Sequence, residues 1–169
     1  MIEMYVSGMA FDTVTNAPVV LLKERHGQRV LPIWIGMNEA SVIALELSGM
    51  SYKRPLTHDL IKSILNGFSA VLQKIVVSSL KENTFYAKFY ILASEKSIIE
   101  IDARPSDSIA MALKMKAPIY VSTDLEDSLI QLLPPKDSDP GQQDESVDSF
   151  DLRNRLRNIK PEDFGDFNL

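Results

Sequence analysis

The stretch IDARPSDSIAMAL, from Ile101 to Leu113, puts Asp102, Arg104, Ser106 and Asp107 where a β-like run hands over to small and apolar helix formers. A helix start presents free backbone N–H groups and partial positive charge, which suit phosphate. Arg104 adds a planar fork for phosphate oxygens. Asp102 and Asp107 are oxygen donors for a divalent cation, and Glu39 joins them if a second helix start lies opposite. Mg²⁺ takes one or two carboxylates, with water and substrate phosphate completing its shell. That is a phosphodiesterase kit. The same residues also have a purely structural use. Pro105 suits the first helical position, and an acid in the first turn, such as Asp107 or Glu39, stabilises the helix dipole. Asp102 and Arg104 then form an ion pair. Residue types and spacing leave both readings open.

Two histidines add to the candidates. His58 stands beside Asp59 in RPLTHDL, just inside a helix start, where an imidazole serves either as a general base or acid or as an ordinary first-turn residue. His26 precedes Gly27 in a hairpin turn and is expected to be exposed and inert. Trp34 is expected to pack the core from a strand rather than to stack a base. The sequence has no Gly-rich phosphate loop, no HExxH and no GxSxG nucleophile elbow.

The elements that must position these groups follow from pattern. IEMYVSGM, VVLLKE and RVLPIWI read as three strands joined by the turn signals DTVTNAP and RHGQ. Gly36 opens a helix over MNEASVIALELSG. THDLIKSILNGF is a second helix, with Thr57 as N-cap and Asp59 in its first turn. AVLQKIVVSSL, TFYAKFYILA and SIIEIDA are three more strands, followed by the helix from Pro105. APIYVST is a short strand, and DLEDSLIQLL is expected to be a last helix. Sliding the chain by 68 residues lays LPIWIGMNEASVIALEL on IEIDARPSDSIAMALKM, so that Glu39 meets Asp107. The expected fold is α+β, a compact single domain with an internally duplicated β-β-β-α unit and a mixed sheet packed by helices. The domain spans 1–135, with halves of about 1–68 and 69–133. An acidic polar linker over 136–148 and a short helical tail over 149–169 follow.

On a helical wheel Glu39 and Glu46 share one narrow strip, and Asp107 and Lys114 hold the same strip in the second copy. Apolar residues cover most of the rest, where a surface helix would show a wider polar face. Cover by the sheet and by another helix or a second subunit is therefore expected, and a homo-oligomer with it.

Bulk properties exclude whole classes. The 169 residues are 45% hydrophobic and 24% charged, as in an ordinary globular domain. The net charge of −5 is unevenly spread: residues 1–120 hold 13 Lys/Arg against 11 Asp/Glu, and residues 121–169 hold 5 against 12. A nearly neutral body lacks the basic stripe of a dedicated duplex-DNA binder. Without cysteine there are no disulfides, thiolate zinc sites or thiol chemistry. MIEMYVSG has no basic n-region, and no apolar run approaches the roughly 20 residues of a membrane span. A cytoplasmic protein without membrane contact is expected.

The combination of LPIWIGMNEASVIALEL, RPLTHDL and DARPSDSIAMAL, in this order and spacing, resembles the bifunctional nuclease domain family over roughly residues 1–135. The ending LRNRLRNIKPEDF is similar to the tail of bacterial members. The resemblance implies a compact α+β domain with an internal duplication, and nuclease activity on DNA and RNA as reported for some members; others are regulatory. It marks Glu39, Arg54, His58, Asp59, Asp102, Arg104, Ser106 and Asp107 as motif positions. The expected function is Mg²⁺- or Mn²⁺-assisted phosphodiester hydrolysis of nucleic acid. Asp102, Asp107 and Glu39 hold the metal, Arg104 braces the phosphate and His58 shuttles a proton. The alternative is a non-catalytic oligomeric regulatory or interaction module, whose carboxylates lie apart or pair with arginines.

Overall fold

Two antiparallel meanders provide most of the sheet. β1 (Ile2–Phe11), β2 (Pro18–Glu24) and β3 (Arg29–Trp34) pair in sequence, as do β4 (Val71–Lys81), β5 (Thr84–Leu92) and β6 (Ile98–Ala103). The computed structural model describes residues 1–12, 14–50 and 52–131. The linker and tail expected over 136–169 lie outside the described residues. Short β7 (Ile119–Val121) enters between the meanders, parallel to β4 and antiparallel to β1. The result is one mixed sheet of eight strands in the order β6-β5-β4-β7-β1-β2-β3-β8, with β8 at Ile130–Gln131. The fold class is α+β.

Strand alternation gives the sheet two different faces. Val20, Leu22, Leu31 and Ile33 from one meander share a buried cluster with Ile75, Val77, Phe89 and Ile91 from the other. That cluster is closed by α1 (Met37–Ser48), α2 (Thr57–Gly67) and α3 (Pro105–Met115). The register places Tyr86, Lys88 and Tyr90 on the opposite face, which carries none of the described helices, because Ala87, Phe89 and Ile91 between them are buried.

α3 is the central helix. It packs on α1, α2, β4 and β5, and buries Ser106 and the run from Ser108 to Ala112. The apolar character of α3 is thus met by the sheet and by neighbouring helices within one chain, whereas α1 buries Ala40, Ile43 and Ala44 and leaves Met37 and Leu47 exposed. Ser108 Oγ, fully buried, is the buried side-chain polar atom without a hydrogen-bond partner among the described residues. An unpaired buried hydroxyl is costly, and alanine is the better helix former. Ser108→Ala is therefore expected to raise the unfolding free energy by about 1 kcal/mol, measured by urea denaturation.

Three local expectations change. α2 is capped at Leu56 rather than Thr57, because the Asp59 carboxylate reaches back to accept the Leu56 N–H at 2.9 Å. The last helix expected over DLEDSLIQLL is instead a 3₁₀ turn, Thr123–Ser128, followed by β8, whose backbone pairs with the free side of β3. Trp34 does not pack the core. It ends β3 with its ring 53% exposed, and its indole N–H donates to Asp12 at 2.8 Å. That bond, with backbone N–H groups of Thr15 and Val14, holds Asp12 down at about 2. His26 is exposed in the turn between β2 and β3.

The order β-β-β-α occurs in both halves, and at the 68-residue offset Met37 and Pro105 both begin helices. Element order alone does not establish a duplication. Backbone superposition of 33–47 on 101–115, with the preceding strands running the same way, is what the duplicated unit requires.

Candidate functional site at the α1–α3 seam

α1 and α3 lie side by side with their starts together, and the first turn of α2 meets α3 through His58 and Asp59. The polar strips read on the helical wheel face each other there. Two clefts result, one on each side of the α2 start.

The first cleft, about 230 Å³, is lined by Asn38, Glu39, Val42, Thr57, His58, Arg104, Ser106, Asp107 and Ala110. Arg104 is the N-cap of α3, in extended backbone, and Pro105 locks the first helical position. Its guanidinium turns back along the helix and grips Asp107 with two bonds, Nε to Oδ2 at 2.8 Å and Nη2 to Oδ1 at 3.2 Å. Its third nitrogen, Nη1, donates to Glu39 on α1 at 3.0 Å. One cation thus joins the two equivalent first-turn acids. Asp107 first and then Glu39 raise the Arg104 pKa above its already high value. His58 Nε2 stands 3.6 Å from Asp107 Oδ1, within ion-pair range but too long for a hydrogen bond, and its side chain is only 13% exposed.

Gly36 makes room for this arrangement. A Cβ there would lie 2.4 Å from Glu39 Oε2, so a larger residue would push the carboxylate from its place over the start of α1.

The second cleft, about 270 Å³, is centred on Lys114. Its ammonium, on a side chain 11% exposed, donates to Glu46 at 2.6 Å and to Asp59 at 2.5 Å. Burial lowers the Lys114 pKa, but the bonds to Asp59 and Glu46 outweigh that and raise it overall. Lys114, and then the Leu56 N–H, lower the Asp59 pKa. Asp59 therefore ties α2 to α3 and also holds the first turn of α2, which carries the neighbouring His58. Glu46 and Lys114 line this cleft without having been candidates from the sequence. The signal was present in the shared polar strip.

The sequence candidates divide clearly. Glu39, His58, Arg104, Ser106 and Asp107 converge on the first cleft, and Asp59 on the second. Arg54 is exposed in the loop before α2 and lines neither. Asp102 lies elsewhere: β6 pairs Asp102 with Lys88, so it faces the side of the sheet away from α1, α2 and α3, while Ala103 faces the core. The expected corner of Asp102, Arg104 and Asp107 is thus not assembled. Among the described residues no three His, Cys, Asp or Glu side chains converge as a metal-binding group. The residues do not fit a three-carboxylate ion site. Glu39 and Asp107 are the two carboxylates that meet in the first cleft, and both accept from Arg104.

Acid sensitivity follows from the carboxylates held low. Besides Asp59, Glu24 is buried at the end of β2, where Arg29 bonds it through Nε at 3.0 Å and Nη2 at 2.7 Å and lowers its pKa. Such groups contribute stability that is present above their unfolded pKa values and lost as pH falls through the lowered folded ones. Unfolding free energy is expected to be level down to about pH 5 and to fall below about pH 4, as followed by urea titration at each pH.

The chain is 41% identical over 168 residues to an uncharacterized protein of Mycobacterium tuberculosis, covering 96% of this chain and 97% of that one. It is 22% identical over 113 residues to bifunctional nuclease 1 of Oryza sativa subsp. japonica, covering 66% of this chain and 34% of the plant protein. Bifunctional nuclease 2 of Arabidopsis thaliana is 21% identical over 109 residues, covering 63% and 33%. Residues 20–130, from β2 to β8 and including every residue of both clefts, match the bifunctional nuclease domain. The chain belongs to the bifunctional nuclease domain family.

Proposed function

We propose that the first cleft hydrolyses phosphodiester bonds of nucleic acid, with His58, Arg104 and Asp107 as its working residues. The observation that carries this reading is the convergence of a shielded imidazole and a guanidinium on one carboxylate, in a cleft open to solvent. With Nε2 turned to Asp107, Nδ1 is the nitrogen left to take a proton. Water attacks phosphorus and gives its proton to His58, the bond to the leaving sugar oxygen breaks, and that oxygen takes a proton in turn. Asp107 orients the ring and balances its charge. Arg104, 65% exposed at its side chain, exchanges its bond to Glu39 for one to a phosphate oxygen.

Charge supports a cation requirement. Glu39, Asp107 and Arg104 sum to −1, which repels a phosphodiester. Glu39 and Asp107 would hold Mg²⁺ or Mn²⁺, which supplies positive charge at the phosphate. The test is cleavage of single-stranded and duplex DNA and RNA by highly purified protein, with added Mg²⁺ or Mn²⁺ and with EDTA. Metal-dependent cleavage that co-purifies with the protein supports the proposal, and its absence on every substrate overturns it.

One observation favours the alternative of a non-catalytic oligomeric module: Arg104 clamps Glu39 to Asp107, as a structural ion-pair network does. On that reading the clamp fastens α1 to α3, and the free surface is α2. It exposes Leu60, Ile64 and Phe68 in one stripe, while Ile61 and Leu65 pack on the core. A homo-oligomer in a cytoplasmic setting is part of both readings, and sedimentation of the full chain measures it.

A further inference from the structure

The face of the sheet opposite the described helices interleaves aromatic rings with lysines. Tyr5, Tyr86, Tyr90 and Tyr120 come from three strands, β1, β5 and β7. The register sets Lys74 opposite Tyr90 and Lys23 opposite Tyr5. Lys74 Nζ lies 4.7 Å from the centre of the Tyr90 ring and 5.8 Å from that of Tyr120, and Lys81 Nζ lies 5.7 Å from the Tyr86 ring. Tyr5 and Tyr86 are 41% and 40% exposed. Two of the face's acids are matched, Glu100 by Lys88 at 3.0 Å and Glu3 by Arg25 at 3.4 Å. Among the described residues Lys23, Lys74 and Lys81 form no ion pair. The remaining acid, Asp102, sits on the β6 edge. The centre of the face, across β1, β7, β4 and β5, is therefore both positive and aromatic.

We infer that this face binds a single nucleic-acid strand, with bases stacked on the tyrosines and phosphates held by Lys23, Lys74 and Lys81. Base stacking on aromatic side chains combined with a positive track is how single strands are held without sequence preference. A duplex hides its base faces, and an acidic peptide offers carboxylates but no flat partner for the rings. The path runs across the strands and away from β6, where Glu100 and Asp102 repel phosphate. This surface lies on the side of the sheet opposite the helices and is independent of whether the cleft cleaves anything.

The test reads binding, not cleavage. Fluorescence anisotropy of the full chain with a labelled oligothymidylate of about 12 nucleotides, at low salt and in EDTA, gives Kd. Tyr5→Ala and Tyr86→Ala are each expected to weaken binding about tenfold, with Tyr86→Phe close to wild type. The double variant Lys74→Gln with Lys81→Gln should bind more weakly and with a shallower salt dependence. Duplex DNA and polyglutamate should compete poorly. Three results would each overturn the inference: no binding by the wild-type chain, binding unchanged in both tyrosine-to-alanine variants, or equal competition by polyglutamate.

Discussion

His58→Ala and Asp107→Ala are each expected to cut phosphodiester cleavage by about 10²- to 10⁴-fold, the range of a positioned general acid or base. The two act as a unit on the proposed reading, so the double variant should be little worse than either alone. Stability separates chemistry from collapse. Asp107 loses an exposed partner when it is removed, because the Arg104 side chain is 65% exposed and stays hydrated. Loss of a first-turn acid and a surface ion pair together costs about 1 kcal/mol. A variant that melts almost like wild type and no longer cleaves places Asp107 in the chemistry. Unchanged cleavage in Asp107→Ala sinks the catalytic reading and leaves the Arg104 clamp as structure. A loss of about 3 kcal/mol or more would mark Asp107 instead as part of a buried pair.

Lys114→Met is expected to have the largest effect on folding. The ammonium is nearly buried between Glu46, 18% exposed, and Asp59, 38% exposed, and its removal leaves two carboxylates facing each other. Breaking a buried pair from one side costs about 3–5 kcal/mol. Asp59 reaches water, so the lower end, about 3 kcal/mol, is expected, or a fall in Tm on the order of 10 °C. Adding Glu46→Gln should restore part of the loss, because it removes the like-charge contact. Equal stability of Lys114→Met and wild type would show that the seam is held by apolar packing alone. The variant also loosens Asp59, which holds the α2 start and the place of His58. If cleavage is present in the wild type, it should fall with the melting point in Lys114→Met, and partial recovery of both in the double variant would tie the seam to the cleft.

Much of the architecture is legible in the sequence, because strand and helix patterns are local. Alternation in IEMYVSGM and TFYAKFYILA, the RHGQ turn and the Gly36 and Pro105 helix starts each rest on neighbouring residues. Glu39, His58, Arg104, Ser106 and Asp107 were legible as candidates because helix starts concentrate charge. Their meeting was not, since Arg104 reaches Glu39 across 65 positions of chain. Asp102 shows the opposite error. It is two residues from Arg104, but strand alternation turns it to the other face, and the inward set of Ile99, Ile101 and Ala103 carried that signal. The sequence alone determined the element types up to β7, the acidic second part of the chain and the helix starts that carry the charged groups, because these depend on local preference and composition. Only the tertiary structure decided that the strips of α1 and α3 face each other, that Lys114 binds Glu46 and Asp59, and that Asp102 and Trp34 leave the site and the core. Those outcomes depend on which faces the sheet and helices bury against one another, a property of the packed whole rather than of any segment.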